Sequence, residues 1–140
     1  QKAKDLKRKF NRDVVVMAPA MDPQDVARLL VGARCAFVSI VPGKGYDFAY
    51  PTKVLAALAA GTPVLYAGQG PVASDLMENS LGRHVPYEVA RVAEALLEEP
   101  EGSDAARRRR AAWVEANRSL RAAGRAAAKF VLGVAEQEER

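Results

Sequence analysis

One stretch constrains the fold of this chain more than any other: Lys53-Val-Leu-Ala-Ala-Leu-Ala-Ala-Gly-Thr-Pro-Val64. It reads as a short apolar helix, a glycine stop, and then a buried strand. Tyr50-Pro51-Thr52 precedes it, with proline suited to the first helical turn. Upstream lie a second apolar run, Ala36-Phe37-Val38-Ser39-Ile40-Val41, and a loop with Gly43 and Gly45. A strand, a glycine-containing loop and a helix N-terminus together make an anion site, because unpaired amides and the positive dipole end both point at the loop.

The alternation continues along the chain. Lys2–Phe10 reads as the end of a helix, and Asp13–Ala18 as a β-branched, buried strand. Asp22 caps a helix that starts at Pro23, with Val26, Leu29, Leu30 and Ala33 as its apolar stripe. Cys35–Val41 is the next strand and Pro42–Tyr50 a loop. The helix from Pro51 to Ala60 turns Val54, Leu55 and Leu58 inward. Pro63–Ala67 is a strand, Gly68-Gln69-Gly70-Pro71 a tight turn, Val72–Asn79 a helix, and Arg83–Val85 a short strand. Tyr87–Glu98 is amphipathic, with Val89, Val92, Leu96 and Leu97 inward. From Ser103 the pattern is helical to about Glu136, with a bend expected near Gly124 and a stripe of Trp113, Leu120, Ala127 and Val134. Strands alternating with helices imply a three-layer α/β architecture, a Rossmann-like parallel sheet with helices on both faces.

The run YPTKVLAALAAGTPVLYAGQGP, residues 50–71, resembles the donor-binding segment of retaining GT-B glycosyltransferases. Pro-Ser/Thr-Lys, a helix, Ala-Ala-Gly-x-Pro-Val and a glycine-containing loop recur in bacterial sugar transferases of this type. The resemblance covers about residues 13–135. It implies the later part of the C-terminal domain, without the first strands of that domain and without the N-terminal acceptor domain. Residues 1–102 then form the nucleotide-sugar-binding portion. Residues 103–140 form a helical segment that packs on it or on the missing domain.

By this resemblance Pro51, Thr52, Lys53 and Gly45 hold the donor diphosphate. Tyr46, Asp47 and Tyr50 are candidates for the donor sugar or ribose, and Lys44 for added charge. Ala20 and Met21 give an apolar platform for the nucleobase. The family commonly has two glutamates eight positions apart, which fall on Phe48 and Ala56 here. Neither side chain accepts a hydrogen bond, so a carboxylate–diol contact is absent. Asp47, one residue from Phe48, offers a substitute. His84, the only histidine, reads as structural, since the family's catalytic histidine belongs to the missing domain. No metal site is readable, and no cofactor is implied beyond a nucleotide-diphosphate sugar as substrate.

Composition sets the remaining bounds. With 49% hydrophobic and 27% charged residues among 140, the chain is ordinary for one domain with a real core. Its single cysteine, Cys35, excludes an internal disulfide and fits a reducing cytoplasm. No apolar run approaches the ~20 residues of a membrane span. The net charge is +4, with clusters at Lys2–Arg12 and Arg107–Arg110. These read as solvated helix faces or as contacts to the inner face of a membrane. No aromatic residues interleave with them, so nucleic acid is not an expected partner.

Two expectations follow about the whole chain. A sheet that lacks its first strands leaves an open edge, which would take a partner chain. A Gln start on a helix already in progress reads as a cut from a longer protein. The functional expectation is the donor half of a hexosyltransferase, inactive by itself. The alternative is a degenerate GT-B-like binding or scaffold module, which the Phe48 and Ala56 positions favour.

Overall fold

The structure is a computed structural model that describes residues 5, 6, 8, 9 and 15–138, with side chains through residue 133. Its centre is a parallel sheet of three short strands, β1 (Ala36–Ser39), β2 (Val64–Ala67) and β3 (Gly82–Val85), in the order β1-β2-β3. Ala36 pairs with Val64, and Val64 pairs with Gly82. Helix α1 (Pro23–Gly32) precedes β1. Helix α2 (Thr52–Ala59) joins β1 to β2, and α3 (Pro71–Glu78) joins β2 to β3. Three helices follow: α4 (Val89–Leu97), α5 (Asp104–Asn117) and α6 (Leu120–Glu138).

Local chemistry explains these boundaries. Asp22 caps α1 by accepting from the amides of Gln24 and Asp25 at 2.9 and 3.0 Å, and Pro23 supplies the fixed φ of the first turn. Gly61 stops α2 at φ +78°, a left-handed conformation that favours glycine. Ser103 caps α5 through the amide of Ala106. Gly82 lets β3 lie close to β2, because a Cβ there would sit 2.1 Å from the Val64 carbonyl oxygen.

Strand alternation splits the apolar residues between two faces. Val64 and Tyr66 of β2 join Val54, Ala57 and Leu58 of α2, Val72, Ala73 and Leu76 of α3, Leu81, and Val114 of α5 in the main core. Leu30, Ala36, Val38, Ile40 and Trp113 border it. The other face presents Leu65, Ala67 and Val85 to α4, through Val92 and Ala95. Helices therefore cover both faces, as expected, but unequally. Phe37 is half exposed on the α4 side.

The buried Arg110 clamps three chain reversals together. Its guanidinium donates to the carbonyl oxygens of Leu81 (3.1 Å), Gly61 (3.2 Å) and Glu101 (2.6 Å). Arg107 donates to Val31 O, and Arg109 binds Glu101 at 2.6 Å. Three of the four arginines of the 107–110 run thus bond within the fold, but only Arg110 is buried; Arg108 and Arg109 stay exposed, as a solvated helix face requires.

Other expectations also need correction. The strand expected at Asp13–Ala18 does not form over its described part, residues 15–18; Asp13 and Val14 lie outside the described residues, as does most of Lys2–Phe10. Val15, Val16 and Met17 are exposed. In consequence α1 buries none of its residues: Val26 and Leu29 have no strand beneath them, and only Leu30 reaches the core. On α4, Val89 and Leu97 face solvent, since a single helix over a three-stranded sheet can bury only its central stripe. The bend expected at Gly124 occurs at Arg118–Ser119 instead, where the Ser119 hydroxyl accepts from the Ala122 amide at 3.1 Å. A serine that caps is a stronger break than a glycine inside a helix. That break interrupts the heptad stripe and leaves Leu120 outside the core.

Candidate functional site

The candidate site lies at the C-terminal edge of the sheet, where the loops after β1, β2 and β3 gather. This is the edge at which open parallel sheets bind ligands. The loop between β1 and α2 starts after Ile40, whose amide bonds the Ala67 carbonyl at 3.0 Å and extends the sheet by one rung. Gly43 and Gly45 take φ of +70° and +79°, and neither has an atom within 4 Å of where a Cβ would stand. The glycines are there for their backbone angles; the space around them is open.

Asp47 organises the loop. Both carboxylate oxygens accept from the Gly43 amide, at 3.2 and 3.1 Å. The chain then tucks against the turn before α3. A Cβ on Gly70 would stand 1.8 Å from the Asp47 carbonyl oxygen, so only glycine permits this approach, and Gly70 has φ +89° as well. Beneath the loop, Tyr66 donates to Gln69 O at 3.0 Å, and His84 Nε2 donates to Gly68 O at 2.7 Å. Burial raises the Tyr66 pKa, with the Asp47 charge adding to it. Both rings fix the β2–α3 turn, and His84 is structural in this arrangement.

Helix α2 opens directly from this loop. Its N-cap is Pro51, which gives no side-chain cap. Val54 bonds the Pro51 carbonyl at 3.0 Å, while no hydrogen bond takes the amides of Thr52 or Lys53 among the described residues. Thr52 and Lys53 are exposed. The start of α3 is similar: Gly70 provides no side-chain cap and Pro71 follows. Two uncapped helix starts therefore border one glycine loop. Each leaves partial positive charge at the same edge of the sheet.

The expected site residues divide into three groups. Gly45, Pro51, Thr52 and Lys53 share the connection from β1 into α2, with Gly45, Thr52 and Lys53 exposed. Tyr46 is exposed on the same loop, and Asp47 is folded back onto Gly43. Tyr50 goes elsewhere. It packs against the main core with its hydroxyl buried and unpaired, under the Arg118 guanidinium 5.0 Å from its ring centre. Arg118 in turn binds Asp75 at 2.6 Å. Tyr50 is thus committed to the core and to Arg118, while staying partly exposed. Ala20 and Met21 are exposed just before α1, and no hydrogen bond ties them to the loop.

Phe48 is where sequence reasoning fell short. Read only as a lost carboxylate, it is 79% exposed and two residues from Tyr46, itself 65% exposed. The loop thus carries two exposed aromatic rings. The signal in the sequence was the alternation Tyr46-Asp47-Phe48, with the aspartate turned inward and the rings outward. Ala56 also faces solvent on α2.

Two cavities lie near but apart. An apolar groove of about 400 Å³ runs along the open sheet face beside Phe37, Ala67, Tyr87 and Val92. A cavity of about 300 Å³ sits at the opposite, N-terminal ends of the strands, among Arg34, Arg83, Glu98 and Glu101. Its charges are mutually paired, with Arg83 on Glu98 and Arg34 on Glu99.

Compared with known proteins, the chain matches no family model, no curated protein and no solved structure.

Proposed function

We propose that this chain is the donor-nucleotide-binding part of a glycosyltransferase, which moves a sugar from a nucleotide-diphosphate donor to an acceptor hydroxyl. One observation carries the reading. The free amides of Thr52 and Lys53 stand at an uncapped helix start, and the connection leading into it from the C-terminal end of β1 carries Gly43 and Gly45 at positive φ. Backbone donors and a helix dipole held there suit a diphosphate in the ground state. They suit it more as charge develops on the leaving group. The Thr52 hydroxyl and Lys53 ammonium add charge-assisted bonds. Tyr46 and Phe48 offer ring faces for the sugar or base. The acceptor and the remaining catalytic groups belong to a second domain that closes over the edge. The chain alone is accordingly expected to be inactive in sugar transfer, working in the cytoplasm as part of a larger protein.

Calorimetric titration with UDP, GDP and ADP tests this. Saturable binding of one nucleotide, lost in the Thr52→Ala, Lys53→Ala double variant, is the expected result. Equal and unsaturable responses to all three would sink the reading.

The exposed Phe48 and Ala56 favour a second reading, a binding or scaffold module without turnover. The carboxylate that would hold a ribose is missing at Ala56, a loss worth about 1.5–3 kcal/mol for a charged hydrogen bond, and the second of the pair is missing at Phe48. Under this reading no nucleotide is preferred, and Phe48→Ala weakens a partner interaction and leaves nucleotide titrations unchanged.

A further inference from the structure

Helix α6 is joined to the body of the molecule at one end only. It packs on α5, and Ala122 is its one buried residue among the described side chains. Beyond it the helix presents two opposed faces. Leu120, Ala123, Ala127, Phe130 and Val131 fall within roughly a third of the circumference at 3.6 residues per turn. Leu120 is 94% exposed, Phe130 74% and Val131 64%. Arg121, Arg125 and Lys129 recur every fourth residue along the opposite side, and only Leu132 among the large apolar residues falls among them. Between residues 120 and 135 there is no Asp or Glu to balance these cations. Ala122 lies on the basic side, nearly opposite Leu120 and Val131, so the contact with α5 turns the apolar face away from the sheet domain.

We infer that α6 is an interfacial helix that lies on an anionic lipid surface. Such a surface offers hydrocarbon on one side and negative headgroups on the other, which matches an apolar stripe backed by unpaired cations. Charge selects the occupant: three cations with no acidic residue between positions 120 and 135, in a chain already at +4, complement a negatively charged surface. The helix does not cross the bilayer, since no helix among the described residues is long and apolar enough to do so. The inference does not depend on the nucleotide reading. It places membrane contact on α6 rather than on the Arg107–Arg110 run, where Arg107, Arg109 and Arg110 already bond within the fold.

The test is flotation of the full chain with phosphatidylcholine vesicles, with or without about one third phosphatidylglycerol. Binding is expected to the anionic vesicles only, and to fall steeply as salt rises from about 0.1 to about 1 M. Neutralising the cations together (Arg121→Gln, Arg125→Gln, Lys129→Gln) should weaken partition about 100-fold, at roughly tenfold or less per cation. Phe130→Ala with Val131→Ala, which keeps every charge, should also release the chain. A Phe130→Trp variant should show blue-shifted emission with anionic vesicles. All are surface changes, so circular dichroism should match the parent chain. Failure to bind anionic vesicles overturns the inference, as does undiminished binding by the triple variant. Dimerisation through Leu120 and Phe130 in sedimentation, without lipid binding, would assign the face to protein and overturn it too.

Discussion

At the scale of single residues, stability is concentrated in side chains that a surface-minded reading would pass over. Arg110 sits in an Arg-rich helix segment, yet it is the largest fully buried side chain. Its burial pulls its pKa down, partly offset by Glu101, but a guanidinium stays charged at any ordinary pH. Three carbonyls depend on it. Arg110→Ala should cost about 3 kcal/mol, because each carbonyl loses a charged donor and water enters only where the neighbouring cavity allows. Urea denaturation should show a lower midpoint with little change in slope. Tyr50 acts differently. Its hydroxyl is buried beside Asp75 and Arg118, so Tyr50→Phe should change stability at neutral pH by no more than about 1 kcal/mol. Burial first, and the nearby Asp75 carboxylate second, raise the Tyr50 pKa above its ordinary value, with Arg118 acting the other way. A raised acid pKa favours the neutral form in the folded state. The stability this gives is fully present below the unfolded tyrosine pKa of about 10 and is lost as pH rises above it. Thermal melts above pH 10 should therefore fall more steeply for the parent than for Tyr50→Phe.

At the scale of elements, the start of α2 sets binding against stability. A proline N-cap leaves the amides of the first turn unpaired, and an Asp or Ser there would satisfy one. Pro51 has φ −63° and ψ 126°, which either residue adopts without strain. Pro51→Asp should raise stability by about 1 kcal/mol. It should also place a carboxylate where the proposed diphosphate binds, so nucleotide affinity should drop at least tenfold. If melting temperature and affinity rose together, the amides would not be the anion site. The same helix shows what the sequence discloses. Lys53–Val64 specified helix, stop and strand because a glycine at φ +78° and a short apolar run permit little else. The reach of Tyr50 was not legible. Its neighbours Asp75, on α3, and Arg118, at the end of α5, are distant in sequence; packing brings Arg118 over its ring, where it binds Asp75. Asp13–Ala18 failed for the complementary reason. β-Branched residues favour a strand, but a strand needs a partner edge, and propensity alone supplies none.

At the scale of the whole molecule, the unequal covering of the sheet predicts unequal local stability. β2 is buried along its whole length, with hydrogen-bonded neighbours on both sides. It is backed by α2 and α3 on one face and α4 on the other. Opening β2 means breaking both pairings and the main core at once, so its amides should exchange only by global unfolding. α1 buries nothing of its own. It is held by Leu30, by the Thr62 hydroxyl donating to Leu30 O, and by Arg107 on Val31 O. α6 is held near Ala122 and is exposed from Ala123 to Leu132. Neither gains enough apolar contact to resist local opening, since helical stability in proteins comes mostly from the packing of an apolar face. Native-state hydrogen exchange on the full chain should therefore rank Val64–Ala67 slowest, with α2 and α3 close behind. α1 and the part of α6 beyond Ala123 should exchange fastest. If α6 is the lipid-facing element, anionic vesicles should protect those fast amides and leave β2 unchanged. Protection rising uniformly across the chain would instead mean that the whole molecule, and not one helix face, meets the surface.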